Sequence, residues 1–138
     1  MEGPIGRYDL LADNLYEGHP FDYDRTAFAL QRIVWGLFKK MVIADRANIL
    51  VSEVFGSAGK YSGSVILLAG VLYTLQIYAE FSGCMDIVIG SGQLFGVTMS
   101  ENFCRPFFSK SVNEFWRRWH ITLGAWLKDY VFYSVSLS

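Results

Sequence analysis

The 138-residue sequence is 52% hydrophobic, 17% aromatic and 18% charged, with a formal net charge of −1. Soluble chains average about 25% charged residues, so a typical soluble domain is disfavoured, and a net charge so close to zero supplies no field for gathering nucleic acid. Eleven Phe, eight Tyr and four Trp exceed what a core this small needs and suit a bilayer interface, where an amphipathic ring has one dry and one wet side.

Residues 1–7 lack the apolar stretch of a signal peptide, and residues 131–138 carry no helix stop signal, which reads as an internal fragment of a longer chain. Residues 8–25, with Asp9, Asp13, Asn14, Gly18, Pro20, Asp22 and Asp24, predict a turn-rich extramembrane lead-in. Within it, His19 and Asp24 match a His-x4-Asp spacing and Asp22 and Asp24 an Asp-x-Asp metal pattern. Both are short, weak matches, and a plain turn is the stronger reading.

Residues 26–48 are apolar but interrupted by Arg32, Lys39 and Lys40, the pattern of one tilted or interfacial helix whose lysines mark a membrane boundary. A small-residue loop follows at Gly56, Ser57, Gly59, Ser62 and Gly63. Residues 64–79 carry no charge and form the best transmembrane candidate, reaching the required length of about 20 residues only by admitting Glu80. A carboxylate there must face protein or water. Residues 86–99 read as a second apolar stretch whose Gly90, Gly92 and Gly96 permit close helix approach. Residues 100–107 are polar and contain Pro106, fitting a turn or a re-entrant loop buried in protein.

Ser111 and Glu114 have capping-box spacing, in which each side chain satisfies a free amide of the other's region. Continued at 100° per residue, one helix would place Val112, Phe115, Trp116, Trp119, Leu123, Trp126, Leu127 and Tyr130 on one face, with Glu114, Arg117, Arg118, Lys128 and Asp129 opposite. His120 falls at the margin of the apolar face. It reads either as a general base, since desolvation favours the neutral, proton-accepting imidazole, or as a core histidine satisfied by a backbone carbonyl. Cys84 and Cys104 match no zinc or CxxC spacing and read as reduced structural thiols.

Four segments in order, Gly36-Leu37-Phe38-Lys39-Lys40-Met41-Val42-Ile43-Ala44-Asp45-Arg46, Gln76-Ile77-Tyr78-Ala79-Glu80-Phe81-Ser82-Gly83, Glu101-Asn102-Phe103-Cys104-Arg105-Pro106-Phe107 and Glu114-Phe115-Trp116-Arg117-Arg118-Trp119-His120-Ile121-Thr122-Leu123, resemble the motifs of the membrane-bound O-acyltransferase (MBOAT) family. The nearest branch is the bacterial one of alginate O-acetylation and teichoic-acid D-alanyl transfer. The resemblance implies that residues 1–138 are an internal fragment of a single MBOAT-type domain. The implied fold is all-α and polytopic, with several membrane and interfacial helices, in the bacterial cytoplasmic (inner) membrane.

The activity it implies is transfer of an acyl group, acetyl in the first instance, from a cytoplasmic acyl-CoA or acyl-carrier thioester. The acceptor is a hydroxyl of an envelope polysaccharide or teichoic acid, or a partner transferase. No bound cofactor or metal is implied; the expected partners are the bilayer, an acyl carrier protein and an extracytoplasmic acyltransferase. His120 matches the first of the branch's two characteristic histidines, and the second, in a Trp-His-Gly context, would lie beyond Ser138. With the family in view, His120 is the candidate base or proton relay. Gln76, Glu80, Asp86 and Asn102 are candidates to line a passage, and Arg105, Arg117 and Arg118 to contact an anionic donor or lipid phosphates. A non-catalytic conduit that hands acyl groups to a separate transferase is the alternative class.

Overall fold

The computed structural model describes residues 4–6, 12, 15–16 and 20–136. Most of the lead-in, His19 included, lies outside the described residues; Ala12, Leu15 and Tyr16 are helical, where the turn-rich composition predicts none. Helix α1, Tyr23–Phe38, starts earlier than its apolar pattern because Asp22 caps it, its Oδ1 accepting from the amides of Asp24 (2.9 Å) and Arg25 (3.3 Å). That cap is the role of the Asp-x-Asp pattern's first acid. α1 runs without a break through a π-helical segment, Lys39–Ala44, into α2, Asp45–Gly56. The result is a rod of roughly 50 Å at about 1.5 Å per residue.

After a short 3-10 turn at Ala58–Lys60, α3 runs from Gly63 to Leu94 as a single 32-residue helix. The two apolar stretches at 64–79 and 86–99 are therefore one element. Nothing between them breaks a helix, and the carboxylates at Glu80 and Asp86 meet cations of the opposite rod. The helix stops sooner than the apolar stretch does, through a Schellman motif at Gly96 (φ 80°). There the Val97 amide donates to Gly92 O at 2.9 Å and the Gly96 amide to Gln93 O at 3.1 Å, bonds that favour glycine at the left-handed position.

The rod and α3 pack antiparallel, and their seam is made of small residues: Ala29, Ala44, Ala47, Ala69 and Ala79 are buried. A Cβ on Gly36 would lie 2.6 Å from Gly83 O, and one on Gly83 would lie 2.8 Å from Gly36 O. The two backbones touch, a small-residue contact common between membrane helices. Many long apolar side chains point away from the seam, Phe28 being 69% exposed and Leu67 76%, while Met85 and Ile89 are buried. α3 is the one helix among the described residues long and apolar enough to cross a membrane; its uncharged part, residues 63–79, measures about 25 Å.

Beyond α3 the chain folds back as a loop, residues 97–111, with a 3-10 turn at Pro106–Phe108. Next come α4, Val112–Arg118, α5, Ile121–Trp126, a π segment Leu127–Phe132 and α6, Tyr133–Ser136. The single amphipathic helix expected across this region is thus divided. Trp119 is extended (φ −106°, ψ 126°) and His120 is left-handed (φ 46°, ψ 56°), because the chain pairs there with the loop. Phe103 and Trp119 form an isolated antiparallel bridge; no β-strand occurs among the described residues.

Candidate active site

His120 sits at the break between α4 and α5, on the wall of a cleft of about 320 Å³ lined also by Trp116, Trp119, Leu123, Gly124 and Leu127. Its ring meets Phe81 of α3 edge-on at 4.8 Å. Phe81 continues into an aromatic cluster through Phe103 (5.0 Å), which meets Trp119 at 5.0 Å, while Tyr78 packs on Phe103 and Phe107. Edge-to-face pairs at these spacings add to the apolar area they bury. The surroundings desolvate the imidazole and hold its pKa below the ordinary histidine value, favouring the neutral form that accepts a proton. Its Nδ1 is enclosed and has no hydrogen-bond partner among the described residues, so no backbone carbonyl satisfies that nitrogen there.

The backbone around His120 is fastened to the loop on both sides. The Cys104 amide donates to Arg118 O, and the Ile121 amide donates to Asn102 O, each at 3.0 Å. Asn102 is fully enclosed. Its Oδ1 accepts from the Thr122 amide at 3.1 Å and from the Thr122 hydroxyl at 2.6 Å, and its Nδ2 donates to Met85 Sδ of α3 at 2.9 Å. The Thr122 hydroxyl accepts in turn from the Ile5 amide at 3.1 Å.

The carboxylates lie apart from this cleft, in the seam. Arg32 Nε binds Asp86 Oδ1 at 3.0 Å and its Nη2 reaches Glu101 Oε2 at 2.6 Å. Lys39 pairs with the other Asp86 oxygen and also donates to Ser82 Oγ at 3.3 Å, while Lys40 pairs with Glu80 at 3.1 Å. Gln76 donates to Asn48 Oδ1 at 3.1 Å, leaving its enclosed Oε1 without a partner among the described residues.

Arg32, read from the sequence only as a break in the apolar pattern, and Lys39, read only as marking a membrane boundary, are thus the partners of Asp86 on α3. Their seven-residue spacing, which puts both on one helical face, was the signal available. Met85 and Thr122 gave none, because their roles arise from a loop distant in sequence.

Arg105 is exposed in a left-handed conformation (φ 47°) and Arg117 is exposed on α4. Arg118 pairs with Glu114 at 2.5 Å, one turn back. The capping box forms by half. Ser111 Oγ accepts from the Glu114 amide at 3.1 Å, but Glu114 takes the Lys110 amide at 2.8 Å instead of that of Ser111, and this bond is the main reason its carboxyl pKa is lowered. Neither Cys84 nor Cys104 is in a disulfide. A larger groove of about 720 Å³ runs along residues 127–136, where Lys128 is the only titratable lining group among the described residues.

A helical chain with small residues and paired charges in its main seam, many large apolar groups outside it and one helix of bilayer length among the described residues has the pattern of the membrane-embedded helical class. The sequence matches the profile of the membrane-bound O-acyltransferase family over residues 6–138, and the chain belongs to that family. It is 38% identical over 135 residues to a probable alginate O-acetylase of Pseudomonas aeruginosa, covering 98% of this chain and 26% of that protein. Similarity extends to a peptidoglycan O-acetyltransferase of Helicobacter pylori, 37% over 111 residues, or 80% of this chain and 21% of the relative. A teichoic acid D-alanyltransferase of Bacillus subtilis is 29% identical over 134 residues, or 94% and 33%. The chain therefore spans about a fifth to a third of the length of these relatives.

Proposed function

We propose that this chain is part of a multi-pass O-acyltransferase domain in a bacterial cytoplasmic membrane. It moves an acyl group, acetyl in the first instance, from a cytoplasmic acyl-CoA or acyl-carrier thioester to a hydroxyl of a cell-envelope polysaccharide or of a partner transferase. The relatives' substrates support the acceptor class, since alginate, peptidoglycan and teichoic acid are all envelope or extracellular polymers.

His120 is the general base in this reading. Its imidazole takes the acceptor's hydroxyl proton as the oxygen attacks the thioester carbonyl; the C–O bond forms, the C–S bond breaks, and the departing thiolate regains a proton. The observation that carries the assignment is the desolvated imidazole on the wall of an aromatic-lined cleft. Arg105 and Arg117 are the groups we assign to phosphate oxygens of the donor or of lipid, and Gln76 and Glu80 to the polar lining between the helices, while Asp86, paired with Arg32 and Lys39, is assigned to holding the seam.

The test is His120→Gln in the full-length protein, with polymer acylation normalised to membrane-inserted protein. Transfer per molecule should fall by about 10²–10⁴-fold, the usual contribution of general acid–base catalysis, at unchanged insertion. Wild-type transfer per molecule would remove His120 from the chemistry.

A further inference from the structure

We propose that Asn102 is a positioning residue for His120, acting as the cap of α5 from another segment so that the imidazole is free to face the cleft; this rests on the reading of His120 as the base. His120 occupies the N-cap position of α5. A residue there ordinarily turns its side chain back to accept from the amide two or three residues on, which for an imidazole would consume the ring. No such bond forms at His120. The amide it would have satisfied, that of Thr122, donates to Asn102 Oδ1, and the Ile121 amide donates to Asn102 O.

One residue therefore takes both first amides of α5 while a third bond, from the Thr122 hydroxyl, fixes the carboxamide's orientation. The Nδ2 bond to Met85 ties the unit to α3, where Phe81 meets the His120 ring. The left-handed backbone at His120 (φ 46°) is a conformation that a residue with a Cβ keeps only when its surroundings over-determine it. The bonds on either side of it supply that constraint. Asparagine suits the site chemically: it offers a neutral acceptor and a donor together, whereas aspartate would enclose a charge and leucine, which keeps the backbone acceptor for Ile121, would leave the Thr122 amide unsatisfied.

The experiment uses the full-length membrane protein, with acyl transfer to polymer measured per inserted molecule at varied thioester concentration and pH. Asn102→Ala should lower kcat by about 10–100-fold, the scale of a small misplacement of a catalytic group, with little change in KM for the donor. Its acidic limb should move toward the ordinary imidazole value as water reaches the ring. Placed in the His120→Gln background, the same substitution should produce no further loss.

Thr122→Val, which keeps the side-chain shape and removes the hydroxyl's two bonds, to Asn102 Oδ1 and from the Ile5 amide, should cost up to about tenfold in kcat, and Thr122→Ser should restore it; this pair carries the test if Asn102→Ala does not fold. Wild-type kcat in Asn102→Ala, or in Thr122→Val where that pair carries the test, overturns the positioning role. An undiminished Asn102→Ala loss in the His120→Gln background overturns it too. Wild-type transfer by His120→Gln itself instead removes the functional reading, and this proposal with it.

Discussion

The hairpin of the rod and α3, residues 23–94, and the folded-back segment of residues 97–136 hold themselves together by different means. In the hairpin the contact is continuous: backbone touches backbone at Gly36 and Gly83, and cations and carboxylates pair across the seam. In the second region α4 and α5 are only 7 and 6 residues long, too short to persist alone. Their placement rests on a bridge at Trp119, the bonds of Asn102 and an aromatic cluster. Damage to the hairpin should appear as lost protein, and damage around His120 as lost turnover in protein that is still present.

The largest effect is expected at the closest contact. Gly36→Val would drive side-chain carbons into Gly83 O and Ile87, and a backbone carbonyl cannot swing aside as a side chain can. Separating the helices also pulls Lys39 from Asp86. The cost should exceed about 3 kcal/mol, the upper end of ordinary overpacking, read as loss of membrane-inserted, heat-resistant protein. A normal amount of inactive protein would break the proposed division between the two regions.

Asp86→Leu comes next, because it leaves Arg32 and Lys39 facing an apolar group. Side chains of Arg32 and Asp86 keep 21% and 14% exposure, so the loss should be about 2–3 kcal/mol, short of the roughly 3–5 expected when a fully buried pair is broken. Asp86→Asn, which retains an acceptor, should cost less. Thermal inactivation of detergent-extracted protein separates the variants, while transfer per folded molecule should hold. A fall in that transfer with stability intact would instead place Asp86 in the working passage.

The acid dependence sharpens the contrast at His120. Desolvation lowers the imidazole's pKa in the folded chain, so the neutral base persists to a lower pH than a free histidine would allow. Transfer per molecule should be flat above about 6.5 and decline only below it. The unfolded chain binds this proton more readily, so the same group takes stability away as pH falls from about 6.5 toward the folded value, and contributes no such loss above it. An acidic limb centred above 6.5 would contradict the desolvated placement.

How much of this was legible follows the same division. The apolar run at 64–79, the small-residue loop before it and the need of Glu80 and Asp86 for polar company could be read because each is a local property of composition. That the runs on either side of Glu80 form one helix could not, since the cations that pair with the carboxylates lie some 40 to 54 positions away. The Ser111 cap was legible for the same local reason. The break at His120 was not: helical periodicity continues through it, and what interrupts the helix is Asn102, a residue of a different motif. His120 was picked out by chemistry and family motif, but its conformation belongs to the tertiary structure.

The smallest effect gives the most closely matched comparison, because each region has a helix capped by the side chain of its own N-cap residue. Asp22 caps α1 and Ser111 caps α4, and removing such an acceptor by alanine substitution costs about 1 kcal/mol in either place. α1 is anchored along its length to α3, so Asp22→Ala should fray one exposed turn, lower the thermal midpoint slightly and leave transfer per molecule unchanged. α4 has no comparable reserve. Its final carbonyl, Arg118 O, receives the Cys104 amide, and the residue after it enters the bridge to Phe103. Loosening its start should therefore reach His120 as a less certain ring position, lowering transfer several-fold, up to roughly the fivefold that 1 kcal/mol represents. Measured side by side per inserted molecule, equal activity in the two variants would show that α4 is held from its far end alone and that its cap plays no part in placing the base.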